Sequence, residues 1–128
     1  MTGPYRRPVP STWWLHNRAY FLFMLRELTS VFIAAYLILL LILLYRLNAG
    51  RGAYESYLRF LGAPGMVTFH VIALAAALFH TVTWFNLTPK VLVVRVGARR
   101  VPAPIIAGVN YAAWIVFSAL VAWIVLRG

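Results

Sequence analysis

The sequence predicts an all-α integral membrane protein: three transmembrane helices behind an amphipathic N-terminal segment, with the N-terminus cytoplasmic. Three observations carry that reading. Of 128 residues, 63% are apolar and only 11% charged, whereas a water-soluble domain has about a quarter of its residues charged. Three apolar runs, at about 28–47, 66–85 and 105–126, are each about 20 residues long, enough at about 1.5 Å per residue to cross a hydrocarbon core of about 30 Å. The net charge is +10, from twelve Lys and Arg against two acids. That balance suits an anionic cytoplasmic leaflet or an acidic protein partner. The basic residues lie between the apolar runs and not along one face, so no nucleic-acid partner is expected.

The tail, 1–27, comes first. Ser11 or Thr12 before Trp13 has the character of a helix N-cap, predicting an amphipathic helix that leads into the membrane. A twin-arginine export signal at Arg6 and Arg7 is disfavoured because Pro8 and Pro10 follow at once and the apolar run is far downstream. The first apolar run exceeds the h-region of a signal peptide and lacks a small-residue cleavage site, so it reads as a span. Gly62, Pro64 and Gly65 interrupt any helix before the second run, and the short first loop has room for an interfacial helical turn. Pro89 is expected to end the second helix, and Pro102 and Pro104 to open the third. No repeat or low-complexity tract divides the chain, which reads as one membrane-anchor domain, 1–128.

Orientation follows from the positive charges. Arg6, Arg7, Arg18 and Arg26 lie in the tail, and Lys90, Arg95, Arg99 and Arg100 in the second loop. The first loop has Arg46, Arg51 and Arg59, partly offset by Glu55, and the C-terminus has Arg127. The positive-inside rule places the tail and second loop in the cytoplasm. Trp13, Trp14, Tyr20, Trp84, Tyr111 and Trp123 then fall near the interfaces, where amphipathic rings collect. Ala73 with Ala77, and Gly108 with Ala112, are small residues four apart that let another helix approach closely.

Chemistry is confined to the few polar residues in or beside lipid, where an unsatisfied donor or charge costs several kcal/mol. The absence of cysteine excludes disulfides, a thiolate nucleophile, and Cys-ligated zinc or iron–sulfur clusters held by this chain. Glu27 opens the first span with Ser30 one turn on. Arg26 points about 100° away from Glu27 and is not expected to pair with it. His80 and Trp84 share a face of the second span, and His80 is expected only about 8 Å below the cytoplasmic boundary. A carboxylate, an imidazole and an indole N–H at one depth suit a quinone headgroup, whose redox chemistry needs donors to its carbonyls and a path for protons. Each residue also has a plainer use: Glu27 as an interfacial acid, His80 in a helix-packing hydrogen bond, Trp84 as a belt residue. His70 and His80 are ten residues apart, about 15 Å along one helix, and cannot be opposite ligands of one haem. His16 falls in the tail.

Three stretches carry a resemblance: STWW at residues 11–14, MLRELTS at 24–30 and LAAALFHTVTWFNLTPK at 74–90. In this order they are similar to the C-type membrane anchor of bacterial quinol:fumarate reductase, the family of 15 kDa hydrophobic proteins, with HTxTWFxLxPK the most specific part. The resemblance implies a four-protein complex in the bacterial cytoplasmic membrane: a flavoprotein with covalent FAD, an iron–sulfur protein, and two small anchors, of the C and D types. It implies that menaquinol is oxidised near the cytoplasmic face and that Arg26, Glu27, Ser30, His80 and Trp84 contact the quinone, with Glu27 relaying protons. It also implies that no haem is bound and that FAD and iron–sulfur clusters reside in partner subunits. Ser30 stands where alanine is expected, and Asn86 where an acid is expected. The rival readings are a succinate dehydrogenase anchor, a purely structural anchor, and a small transporter or channel.

Overall fold

The computed structural model describes residues 8–128; Arg6 and Arg7, counted above in the charge of the tail and weighed as an export signal, lie outside them. A 3₁₀ turn, Trp13–His16, precedes α1 (Arg18–Asn48), α2 (Arg51–Leu61) and α3 (Pro64–Val91). A two-stranded hairpin of β1 (Arg95–Val96) and β2 (Arg99–Arg100) then leads to α4 (Ala103–Arg127). The helices α1, α3 and α4 are each long and apolar enough to cross a membrane, so the chain is a multi-pass membrane protein of the predicted class.

The start of α1 corrects the expected N-cap. Thr12 makes no capping bond through its side chain; its carbonyl instead accepts from Leu15 N–H at 3.0 Å and from the His16 ring at 2.9 Å. Among the described tail residues, Trp13–His16 thus form a 3₁₀ turn, and residues 18–27 are helical as the first turns of α1 itself and not as a separate helix. The cap of α1 is Asn17, whose side-chain oxygen accepts from the Ala19 N–H at 2.8 Å, satisfying one of the orphan donors of the first turn. Trp13 packs edge-on against Tyr20 and Trp14 stacks near Phe21, holding the turn to α1. Asn17→Ala is expected to cost about 1 kcal/mol, seen as a lowered thermal midpoint of the solubilised protein.

The helices also overrun the apolar segments. At about 1.5 Å per residue, the 31 residues of α1 extend about 46 Å, well beyond a hydrocarbon core of about 30 Å. Glu27 thus lies about 13 Å inside α1 and does not open the helix. Pro89 does not end α3, which continues through it to Val91. Proline forfeits one backbone bond, and helices in membranes tolerate it where neighbouring structure re-satisfies the backbone. Pro64 begins α3, and α4 starts behind Pro102 with Pro104 in its first turn, where a missing N–H costs nothing.

The chain forms two compact units, one ending at His80 and one beginning at Thr81. In the first, Gly50 turns the chain at φ 113°, and α2 returns along α1. Tyr57 Oη donates to the Leu39 carbonyl at 3.1 Å, which fixes α2 to the side of α1. The expected interfacial turn is thus a helix of 11 residues. Phe32 meets Phe69, and Tyr36 meets His70 edge-on, joining α1 to α3. In the second unit, Phe85 lies edge-on to Tyr111 and Trp114. Asn86 Nδ2 donates to the Tyr111 hydroxyl at 3.2 Å and to the Val82 carbonyl at 2.9 Å. The asparagine found where an acid was expected therefore fastens the end of α3 to α4.

Burial is inverted relative to a soluble protein. Among the described residues, Arg26 and Thr29 are buried polar side chains, while Leu41, Val71, Phe117 and many other large apolar residues are exposed. Lipid tails and apolar protein faces are the natural cover for such a surface, and polar groups turn inward to find partners.

Candidate functional site

The buried polar residues form one group. Arg26 is only 5% exposed; its Nε and Nη2 donate to Glu27 Oε1 at 3.1 and 2.5 Å, and its guanidinium carbon lies 4.7 Å from the centre of the Phe23 ring. The expectation that these neighbours would not pair is overturned. Their backbone directions differ by about 100°, but two long side chains curl around the helix surface and meet. Burial supplies the reason: a guanidinium excluded from water needs an anion and an aromatic face.

Glu27 itself is half exposed, with 50% of its side-chain surface open. Both Arg26 contacts fall on Oε1, so Oε2 takes no part in the pair. Among the described residues Glu27 and Glu55 are the two acids, and Glu55 is tied to Arg51 at 2.8 Å on α2. A carboxylate held by one oxygen and open to its surroundings is placed to take up a proton and pass it on.

On the same turn, Thr29 Oγ1 donates to the Arg26 carbonyl at 2.5 Å. His80 reaches this point from α3: its Nδ1 lies 3.1 Å from Thr29 Oγ1 and 3.2 Å from the Arg26 carbonyl oxygen. The structure therefore brings His80 to the α1 turn that includes Glu27, within the first compact unit. Sequence reasoning passed over Thr29. Its signal was a hydroxyl three residues after Arg26, a spacing that puts both on one face.

Ser30 faces outward and donates its hydroxyl proton to the Glu27 carbonyl at 2.5 Å. Its hydroxyl thus bonds its own helix, and what it still offers a ligand is an acceptor lone pair. Trp84 belongs to the second unit, where it is 47% exposed and its carbonyl accepts from the Thr88 hydroxyl at 2.8 Å.

His70 lies apart. Its Nε2 donates to the Leu61 carbonyl at 3.1 Å, and it lines an apolar groove of about 340 Å³ with Tyr36, Ala73 and Ala77. The first small-residue pair of the sequence thus borders this groove. The second loop contains the hairpin in which Gly97, at φ 61°, reverses the chain and Arg95 sits opposite Arg100.

Comparison with known proteins gives the family of the chain. A family model describing the C subunit of fumarate reductase matches residues 2–126. The fumarate reductase C subunit of Mycobacterium tuberculosis is 43% identical over 122 residues, covering 95% of this chain and 97% of the relative. The protein of the same name from Klebsiella pneumoniae is 40% identical over 124 residues, 96% of this chain and 91% of the relative. That from Salmonella paratyphi B matches to the same extent. With this agreement along nearly its whole length, and with three helices able to span a membrane, the chain belongs to the fumarate reductase C-subunit family.

Proposed function

We propose that this chain anchors a fumarate reductase complex in the bacterial cytoplasmic membrane and supplies part of the site that oxidises menaquinol. The observation that carries the proposal is the arrival of His80 at the α1 turn holding a half-exposed Glu27 fixed by a buried arginine. Quinol bound there supplies the redox chemistry, releasing two electrons to the iron–sulfur protein and two protons to acceptors in the site. The residues fit such a group. His80 takes a proton on a ring nitrogen, Glu27 takes one on its carboxylate and passes it to water, and Arg26 holds that carboxylate in place. Ser30 offers a hydroxyl oxygen to a quinol O–H. Trp84 enters through its sequence position, four residues beyond His80, as a wall and indole donor for the ring.

FAD and the iron–sulfur clusters belong to the partner flavoprotein and iron–sulfur protein in this reading, since a chain without cysteine has no thiolate for a cluster. The second anchor, of the D type, and the lipid bilayer cover the exposed apolar faces. The positive-inside rule puts the tail and the hairpin on the cytoplasmic side. Like charges directly opposite in a hairpin are unfavourable alone, so the Arg95 and Arg100 pair is suited to an acidic surface of the soluble partners.

Purification from native membranes in mild detergent tests the assembly. Flavin and iron–sulfur absorbance should accompany the chain, and a fluorescent quinone analogue should be quenched with saturable stoichiometry. A chain that purifies alone and conducts ions in liposomes would favour the transporter; an assembled complex that binds no analogue would favour a purely structural anchor.

A further inference from the structure

We infer that Thr29 is a positioning residue for quinol oxidation: it holds the His80 ring with its proton on Nδ1, so that Nε2 is the nitrogen that receives a proton from the quinol. The inference rests on the proposed quinol site and deepens it. Two features of the geometry give the tautomer. A backbone carbonyl only accepts, so the His80 Nδ1 contact with the Arg26 carbonyl at 3.2 Å needs a proton on Nδ1. The Thr29 hydroxyl has one proton, and it is given to that same carbonyl at 2.5 Å. Toward His80 Nδ1, 3.1 Å away, the hydroxyl therefore presents a lone pair.

The Arg26 carbonyl already serves its own helix, so the hydroxyl is the better acceptor for the ring. Thr29 is 9% exposed and Arg26 5%, which keeps water from competing for Nδ1–H. In neutral imidazole one nitrogen donates and the other accepts, and the partner of the first decides which is which. With Nδ1–H bound to α1, Nε2 carries the lone pair. When quinol is oxidised, one O–H bond breaks and its proton forms an N–H bond at Nε2, giving imidazolium. The electrons leave to the iron–sulfur protein, and the imidazolium returns its proton toward water.

Thr29→Val keeps the shape and removes the hydroxyl; Thr29→Ser keeps the hydroxyl. In the intact complex, Thr29→Val should lower quinol-dependent fumarate reduction by about tenfold, the worth of one hydrogen bond of about 1.4 kcal/mol, and Thr29→Ser should stay near wild type. Added to His80→Ala, Thr29→Val should produce no further loss, because its effect passes through the ring. ¹⁵N-histidine NMR of the full chain in bilayers, assigned with His80→Gln, should show the Nδ1–H form of His80 and a mixture of forms in Thr29→Val. Wild-type turnover in Thr29→Val, additive losses in the double variant, or an Nε2–H ring in the wild-type chain would each overturn the inference. If His80→Ala itself leaves quinol oxidation intact, the quinol site has failed instead, and the NMR result still decides whether Thr29 sets the tautomer.

Discussion

Replacing His80 with alanine is expected to reduce quinol-driven fumarate reduction by about 100-fold or more, the usual contribution of a positioned acid or base, while dye-driven fumarate reduction is unchanged. A reduced viologen dye delivers electrons to the soluble partners and bypasses this chain, so the two assays separate loss of the membrane site from loss of assembly. The expectation follows from geometry: His80 reaches α1 through Thr29 and the Arg26 carbonyl, and alanine removes both that link and the proton acceptor. Equal losses in the two assays would mean that the substitution damages the complex and not the site.

Glu27→Gln is expected to be comparably severe, for a different reason. Glutamine keeps the size of the side chain but neither takes up a proton as a carboxylate does nor neutralises Arg26. Breaking a buried ion pair by removing one partner costs about 3–5 kcal/mol. With half of the Glu27 side chain open, solvent screening lowers the cost here to about 1–2 kcal/mol. Quinol oxidation should fall by about 100-fold or more, accompanied by a lower thermal midpoint of the complex. Glu27→Asp, which restores charge on a shorter arm, should recover the stability before it recovers the rate. A glutamine variant that is stable and fully active would show that Glu27 is only an interfacial acid.

The class of the fold was legible because hydrocarbon imposes a length and an apolarity on anything that crosses it, and residues 28–47, 66–85 and 105–126 meet both. The ends of the helices were less legible. Hydropathy records where the hydrocarbon lies, whereas α1 continues ten residues upstream to Arg18, held by the Asn17 cap, and α3 passes through Pro89. A Ser-Thr pair before two tryptophans gave the stronger pattern, yet the cap formed at the polar residue adjoining the long helix.

The candidate site was half legible. Glu27 and His80 stood out as ionisable groups in apolar runs, and their depths could be compared from residue rise alone. The Arg26 and Glu27 pair was not visible, because helical angles describe where side chains start and not where long flexible ones finish. Thr29 was hidden for the opposite reason: a short side chain that bonds its own helix leaves no sign in composition, and its second partner lies 51 residues away. Asn86 looked like a local loss of charge until Tyr111 was seen opposite it.

The most direct test is a cryo-electron microscopy map of the assembled complex with menaquinol bound. The quinol headgroup should lie with one oxygen within hydrogen-bond distance of His80 Nε2 and with the Glu27 carboxylate lining the same cavity; a headgroup held elsewhere in the membrane anchors, with lipid or packed side chains separating Glu27 from His80, would contradict a shared quinol site.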